Sequence, residues 1–265
     1  MYAFYIDVFS LPFMVQYLYC GGIMATVLMI ASGKGGTGKS TVATYLATEL
    51  AVKNKKTLLI ELDAGLRSID VISGIQQQAV FDIGDVLRGR CDAYKAMSSS
   101  PHSENLSVIA APYKSYDTDF SRFRQVTDSL YNDFDYIIID TAAGLGNAFY
   151  AACKSAVMGI IVVTPDIISV RDGRLVSDEL YNNGIADIRL IINKFSDQTF
   201  KFSGIEDLDA VIDDVCAQLL GVIPMSKQIA VNAISGSRLV QGSQEKLIFS
   251  AIADRITGKE IQIII

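Results

Sequence analysis

The sequence contains no tryptophan, one histidine and four cysteines in 265 residues. A zinc site built on three histidines is excluded. A Ser-His-Asp triad would have to rest on His102, a loop residue beside Pro101. Cys20, Cys91, Cys153 and Cys216 are scattered, with no Cys-x-x-Cys pair. They suit buried thiols in a reducing compartment better than a disulfide framework or a zinc knuckle. No Pro/Gly/Ser-rich linker and no repeat divides the chain. Basic residues are in the minority, 23 Lys+Arg against 29 Asp+Glu, for a net charge of −6. That balance argues against a protein whose main task is coating DNA, because phosphate binding needs clustered positive charge. Apolar residues are plentiful at 50%, which excludes a disordered chain. At about 150 residues per domain the length allows one large α/β domain or two small ones, with a core that needs no staple.

The first 24 residues stand apart. They are apolar and aromatic, and no Lys or Arg occurs before Lys34. A secretory signal needs a positive start, and Asp7 stands there instead. A membrane helix needs about 20 apolar residues, and Pro12, Gln16, Gly21 and Gly22 interrupt this stretch. Gly21-Gly-Ile-Met24 can be encoded as GGAGGNATHATG, a purine-rich ribosome-binding site just before a start codon. Met24 is therefore read as the candidate start and the segment before it as untranslated. The alternative is an extra N-terminal strand or helix packed on the domain.

After Met24 short apolar runs alternate with helical patterns. The runs are Thr26–Ala31, Thr57–Ile60, Leu106–Ala110, Tyr136–Ile139, Val157–Val163, Ile188–Ile192 and Leu219–Ile223. Near-continuous apolar character suits strands buried on both faces of a parallel sheet. Stripes at helical spacing lie between them: Phe120, Phe123, Val126 and Leu130 form one, and Ile205, Leu208, Ile212, Val215 and Leu219 another. Repeated strand–helix units predict an α/β fold with one doubly wound, mostly parallel sheet and helices on both faces. The expected domain is 25–258, followed by a short apolar tail at 259–265.

Directly after the first run stands Gly33-Lys34-Gly35-Gly36-Thr37-Gly38-Lys39-Ser40, which is GxxxxGK[ST], the phosphate-binding loop. Glycines let the backbone turn tightly and bring N–H groups of Gly35 to Thr41 to phosphate oxygens. The helix that starts here points its positive end at the same oxygens. Lys39 reaches the β- and γ-phosphates, and the Ser40 hydroxyl suits Mg²⁺. In Tyr136-Ile-Ile-Ile-Asp140, four apolar residues form a buried strand and Asp140 emerges at its carboxyl end, where open α/β sheets bind ligands.

Lys34 is a second lysine that a simple phosphate cradle does not need. The form KGG(x)GK[ST]T resembles the deviant Walker A motif of the MinD/ParA family of P-loop ATPases, and the resemblance runs from about Ala25 to Ile256. It implies a fold of P-loop NTPase type, ATP and Mg²⁺ as cofactors, and a homodimer when ATP is bound. It also implies that Lys34 reaches across the dimer interface to the partner's nucleotide. The stretch Thr57 to Asp70 looks like the second strand and switch I of MinD. Asp63 matches the aspartate that positions the attacking water. Glu61 departs from the family pattern, which has an aspartate near the magnesium's water shell. Asp140 to Gly144 reads as Walker B and switch II, with Ala142 in place of a proline and Asp140 toward Mg²⁺. Val162 to Asp172 is similar to the family's TxPxxxSVRD segment. Arg171 and Asp172 then lie near the dimer face, and Asp172 is available to hold Lys34 when no partner is bound. Asn193 matches the residue whose amide recognises adenine, and Gly221-Val-Ile-Pro224 resembles the loop that flanks the base.

The catalytic set implied by the resemblance is Lys34, Lys39 and Asp63, in a slow switch that ATP glues face to face and hydrolysis releases. The blocks look most like MinD, which implies spatial regulation of cell division, an activating protein partner and a cytoplasmic protein at the inner face of the membrane. The stretch Asp254 to Ile265 holds two basic residues, two acidic ones and a glycine, so it lacks the basic amphipathic character of an interfacial helix. Its last five residues read as an edge strand or a frayed apolar tail. A ParA-like partitioner of DNA or cargo, and a regulator of flagellar number or of a secretion apparatus, share the same core. An iron–sulfur member needs paired interface cysteines in Cys-Gly-Gly contexts; Cys20-Gly-Gly lies before the fold and Cys153 lacks the glycines.

Overall fold

The computed structural model of the chain describes residues 24–264, except 66, 77 and 114–117. The reading of residues 1–23 as untranslated, and Cys20, lie outside the described residues. All seven apolar runs form strands: β1 (Thr26–Ala31), β2 (Thr57–Glu61), β4 (Leu106–Ile109), β5 (Tyr136–Asp140), β6 (Met158–Val163), β7 (Asp187–Phe195) and β8 (Gln218–Pro224). No apolar run announced β3 (Ser98–Ser99), a two-residue antiparallel edge on β4. The sheet order is β3-β4-β2-β5-β1-β6-β7-β8, and every pair except β3–β4 is parallel.

Alternate side chains of each strand serve different cores, which explains the unbroken apolar runs. In β1, Val27, Met29 and Ala31 pack with Phe123, Phe149 and Val176 on one face. Leu28 and Ile30 pack with Leu46, Leu50 and Phe249 on the other. The first face is covered by α3 (Ile83–Leu87), α4 (Ala93–Ala96), α5 (Phe123–Asp128), α6 (Asn147–Cys153), α7 (Ile167–Asn182) and α9 (Leu208–Val215). The second is covered chiefly by α1 (Lys39–Val52), α2 (Ser68–Ile72) and α11 (Gln244–Ile256). Two more helices, α8 (Asp197–Phe200) and α10 (Lys227–Ser235), complete the set among the described residues. Helix α5 is shorter than its stripe: Phe120 and Leu130 pack on the core from outside it.

The topology puts the site at one place. β1 lies between β5 and β6; the next strand in sequence, β2, is on the β5 side. The loop after β1, the end of β5 and the segment after β6 therefore converge at a topological switch point. Helix α11 ends at Ile256, and Gly258 follows at φ 87°. Residues 259–264 then run without strand structure, so the edge-strand reading is not met. The Arg255 guanidinium donates to the Ile261 carbonyl at 2.8 and 2.7 Å, and that hydrogen-bonded turn replaces a ladder. Among the described residues no helix is long and apolar enough to cross a membrane.

Candidate functional site

The loop after β1 closes a cleft of about 560 Å³ lined by Gly35 through Thr41, Ser32, Asp63, Ser68, Ile72, Ala142 and Ala143. Gly38 is the residue before α1, at φ 91°. A Cβ there would lie 2.3 Å from the Asn193 amide nitrogen, so both backbone and space demand glycine. Asn193 Nδ2 donates to the Thr37 carbonyl at 2.7 Å. Lys194, at φ 57°, donates from Nζ to the Gly36 carbonyl at 2.7 Å. The end of β7 thus braces the loop through two consecutive carbonyls. Gly33 does not line the cleft. A Cβ on it would meet the Asp172 carbonyl at 2.5 Å, so this glycine lets the loop start pass against α7.

Lys39 and Asp140 are both buried, and Lys39 Nζ donates to Asp140 Oδ1 at 3.0 Å. Burial pushes the Asp140 carboxyl above its ordinary range, against the pull of the Lys39 ammonium and the Ser40 hydroxyl. Its second oxygen, Oδ2, is buried without a hydrogen-bond partner, as is Thr37 Oγ1 in the loop. A buried carboxylate oxygen in that condition is unusual and suits a hard cation. Mg²⁺ takes one or two carboxylates plus phosphate oxygens, so Asp140 and Ser40 fit it.

Asp63 sits half-buried on the cleft wall. Two residues before it, Glu61 is fully buried; Oε1 accepts from the Ile69 amide at 3.2 Å and Oε2 from the Ala111 amide at 3.3 Å. Burial, with Asp140 beside it, pushes the Glu61 carboxyl up to about 7 in spite of these amides. Arg67, buried at φ 44°, lies 3.0 Å from Asp70 and places its guanidinium 3.8 Å from the Tyr113 ring centre.

Lys34 stands at the rim, and its partner corrects the sequence reading. Its Nζ meets Asp166 at 3.2 Å, not Asp172. Asp166 caps α7 right after β6, the neighbour of β1, so its carboxylate faces the loop. Asp172 lies farther along α7; its backbone packs under Gly33 and its carboxylate pairs with Arg171 at 3.3 Å. Partial burial alone would raise the Asp166 carboxyl, but the Thr164 hydroxyl, the Ser169 amide and Lys34 hold it below its ordinary range. Asn193 also spends one of its two amide N–H groups on the loop, a contact the sequence did not announce. Pro224 ends β8 opposite Phe195, and it is the next residue, Met225, that lines a second opening with Lys34, Asp166 and Lys194. Asp166, Lys194 and the two amide bonds of Glu61 were missed in the sequence; no local pattern marks them.

Comparison with known proteins places the fold in a family. The ParA family model, described as NUBPL iron-transfer P-loop NTPase, matches residues 23–257. The chain is 34% identical to a putative septum site-determining protein MinD of Guillardia theta, over 90% of this chain and 91% of that one. It is 33% identical to the septum site-determining protein MinD of Synechocystis, with the same coverage of 90% and 91%. The chain belongs to the MinD/ParA family of P-loop NTPases. Among solved structures it resembles the MinC:MinD cell division protein complex of Aquifex aeolicus, with TM-score 0.82, 29% identity and coverage of 90% and 98%. It also resembles MinD of Pyrococcus horikoshii complexed with Mg-ADP, with TM-score 0.78, 26% identity and coverage of 88% and 96%. Among the described residues no group of three or more His, Cys, Asp or Glu side chains could hold a metal ion. Cys153 is buried against Met29, and burial pushes its thiol up to about 12.

Proposed function

We propose that this chain is an ATP-dependent dimerising switch of MinD type, which binds ATP with Mg²⁺, hydrolyses it slowly and acts in placing the division site. The observation that carries the reading is the pair of lysines in one phosphate loop. Lys39 is sealed in the cleft, while Lys34 is exposed at its rim and restrained by one carboxylate. A lysine at the rim can neutralise charge on a nucleotide held by a second copy, as an arginine finger does. The acting unit is 25–258.

Hydrolysis of this kind needs positioning and charge stabilisation more than covalent chemistry. The N–H groups of Gly35 to Thr41 and the Lys39 ammonium bind the phosphates. Ser40 and Asp140 would hold Mg²⁺, which supplies charge neutralisation on the phosphate oxygens when bound. Asp63 orients the attacking water, and Lys34 serves the partner's nucleotide in trans. Asn193 braces the loop, with its carbonyl oxygen left to accept from the adenine amino group, and Pro224 borders that side.

We assign the protein to the cytoplasm, with a protein partner that speeds hydrolysis. The Aquifex relative solved as a MinC:MinD complex supports a protein partner. In the final stretch Arg255 is bound to Ile261 and Lys259 pairs with Asp254 at 2.8 Å. Among the described residues of that stretch both basic side chains have partners, so ATP-dependent cosedimentation with anionic vesicles is expected to be weak. The central test is sedimentation velocity with a non-hydrolysable ATP analogue. The wild-type chain should shift from monomer to dimer, and Lys34→Ala should stay monomeric while binding nucleotide within about fivefold, since a surface ion pair is worth about 1 kcal/mol or less. A Lys34→Ala protein that dimerises normally would sink the assignment.

A further inference from the structure

Glu61 departs from the family pattern and has both carboxylate oxygens engaged inside the protein. It ends β2, and Asp63 follows two residues later. One oxygen accepts from the Ile69 amide in the first turn of α2, the helix that follows Asp63. The other accepts from the Ala111 amide just beyond β4, the strand that pairs with β2. Three segments therefore meet on one side chain: the strand into the Asp63 loop, the helix out of it and the floor beneath it. The same loop is held at Leu62, whose amide donates to the Asp140 carbonyl at 2.8 Å, and at Gly65, whose amide donates to the Pro112 carbonyl at 3.0 Å.

The distances show why the longer side chain matters. Contacts of 3.2 and 3.3 Å stand at the long end for N–H···O bonds. A side chain one methylene shorter, on the same backbone, would fall short of at least one amide. Both its partners are N–H donors, so an amide in its place would set NH₂ against one of them.

We propose that Glu61 is the positioning residue for Asp63, clamping both ends of its loop. It acts through Asp63 and does not touch nucleotide or metal. This proposal rests on the ATPase reading above. A water-orienting carboxylate must be held within about half an ångström of its working place, and a flanking side chain that ties both loop ends can do so.

The test is single-turnover ATP hydrolysis by the full chain, with titrations of ATP and Mg²⁺, for wild type, Glu61→Gln, Glu61→Asp, Asp63→Ala and the Glu61→Gln/Asp63→Ala double variant. Glu61→Gln and Glu61→Asp are both expected to slow hydrolysis by about tenfold, with half-saturation by ATP and Mg²⁺ within twofold of wild type. The double variant should be no slower than Asp63→Ala alone, because residues that act as one unit are not additive. Glu61→Asp keeps a carboxyl group and supplies the answer should Glu61→Gln fail to fold. Wild-type rates in both variants, a tenfold rise in the Mg²⁺ requirement, or losses that add to those of Asp63→Ala would overturn the role of Glu61. A wild-type chain that turns over no ATP would overturn the ATPase reading beneath it instead.

Discussion

The two lysines of the phosphate loop stand five residues apart and live in different solvents. Lys39 has 6% of its side chain exposed and its partner Asp140 none; Lys34 has 40% exposed and its partner Asp166 39%. The pairs are almost equally short, at 3.0 and 3.2 Å. Distance therefore does not separate them; dielectric does. In the cleft the two charges lack water and depend on each other, so removal of one strands the other. At the rim water screens both, and the pair costs little to open. The loop thus combines a fixed phosphate contact with a charge that can leave.

The largest effect that would sharpen this contrast is expected from Lys39→Ala. It strands Asp140, so chemical denaturation should show a loss of about 3 kcal/mol. Equilibrium binding of ATP should weaken by about a hundredfold or more, as expected on losing charged hydrogen bonds to phosphate. Next is Asp63→Ala, which touches neither lysine pair. Nucleotide affinity should hold and the ATP-bound dimer should persist, while steady-state phosphate release falls by about a hundredfold. Wild-type hydrolysis in Asp63→Ala would end its assignment. A smaller effect is expected from Asp166→Asn, which keeps an acceptor for the α7 amide but frees Lys34. ATP-driven dimerisation, followed by light scattering, should then occur at protein concentrations lower by up to about fivefold, the worth of one exposed pair. Unchanged dimerisation would mean that Asp166 does not restrain Lys34.

The smallest effect lies away from both lysines, at the one histidine. His102 is buried, with Nε2 3.1 Å from the Gly236 carbonyl. Burial lowers its pKa from the ordinary value of 6.5. The folded ring therefore holds its proton less tightly than the unfolded one. Its contribution to stability is full above 6.5 and is lost as pH falls below that value. His102→Gln should flatten the acid side of the stability profile by less than about 1.4 kcal/mol per pH unit, the limit for one proton. Denaturant midpoints between pH 7 and pH 5 measure it, and an unchanged slope would remove His102 from the account.

Much of the fold was legible because a parallel sheet buried on both faces writes itself as apolar runs, from Thr26–Ala31 to Leu219–Ile223. The short elements were not. β3 is two serines, and α2 to α4 span four or five residues each, too few for a helical period to show. In the site, the residues of the loop motif were readable because turn, helix start and phosphate contact all act within eight positions. Residues whose partner is distant in sequence were misread or missed. Lys34 was matched to Asp172, not to Asp166, because the choice depends on how α7 leaves β6. Asn193 also braces the loop through Thr37, 156 positions away, a contact that no local pattern announces.

By itself, then, the sequence determined the strand order of chemistry along the chain: a phosphate loop after the first strand, Asp63 after the second and Asp140 ending a buried run. Local steric and solvation rules suffice for that, because glycine turns, helix starts and apolar runs are short-range. Tertiary structure alone decided which charges face each other and which are dry. It placed β1 between β5 and β6, sealed Lys39 on Asp140, left Lys34 at the rim with Asp166, and drew Ile69 and Ala111 onto Glu61. Those outcomes depend on burial and on strand neighbours far apart in sequence, which no local pattern encodes.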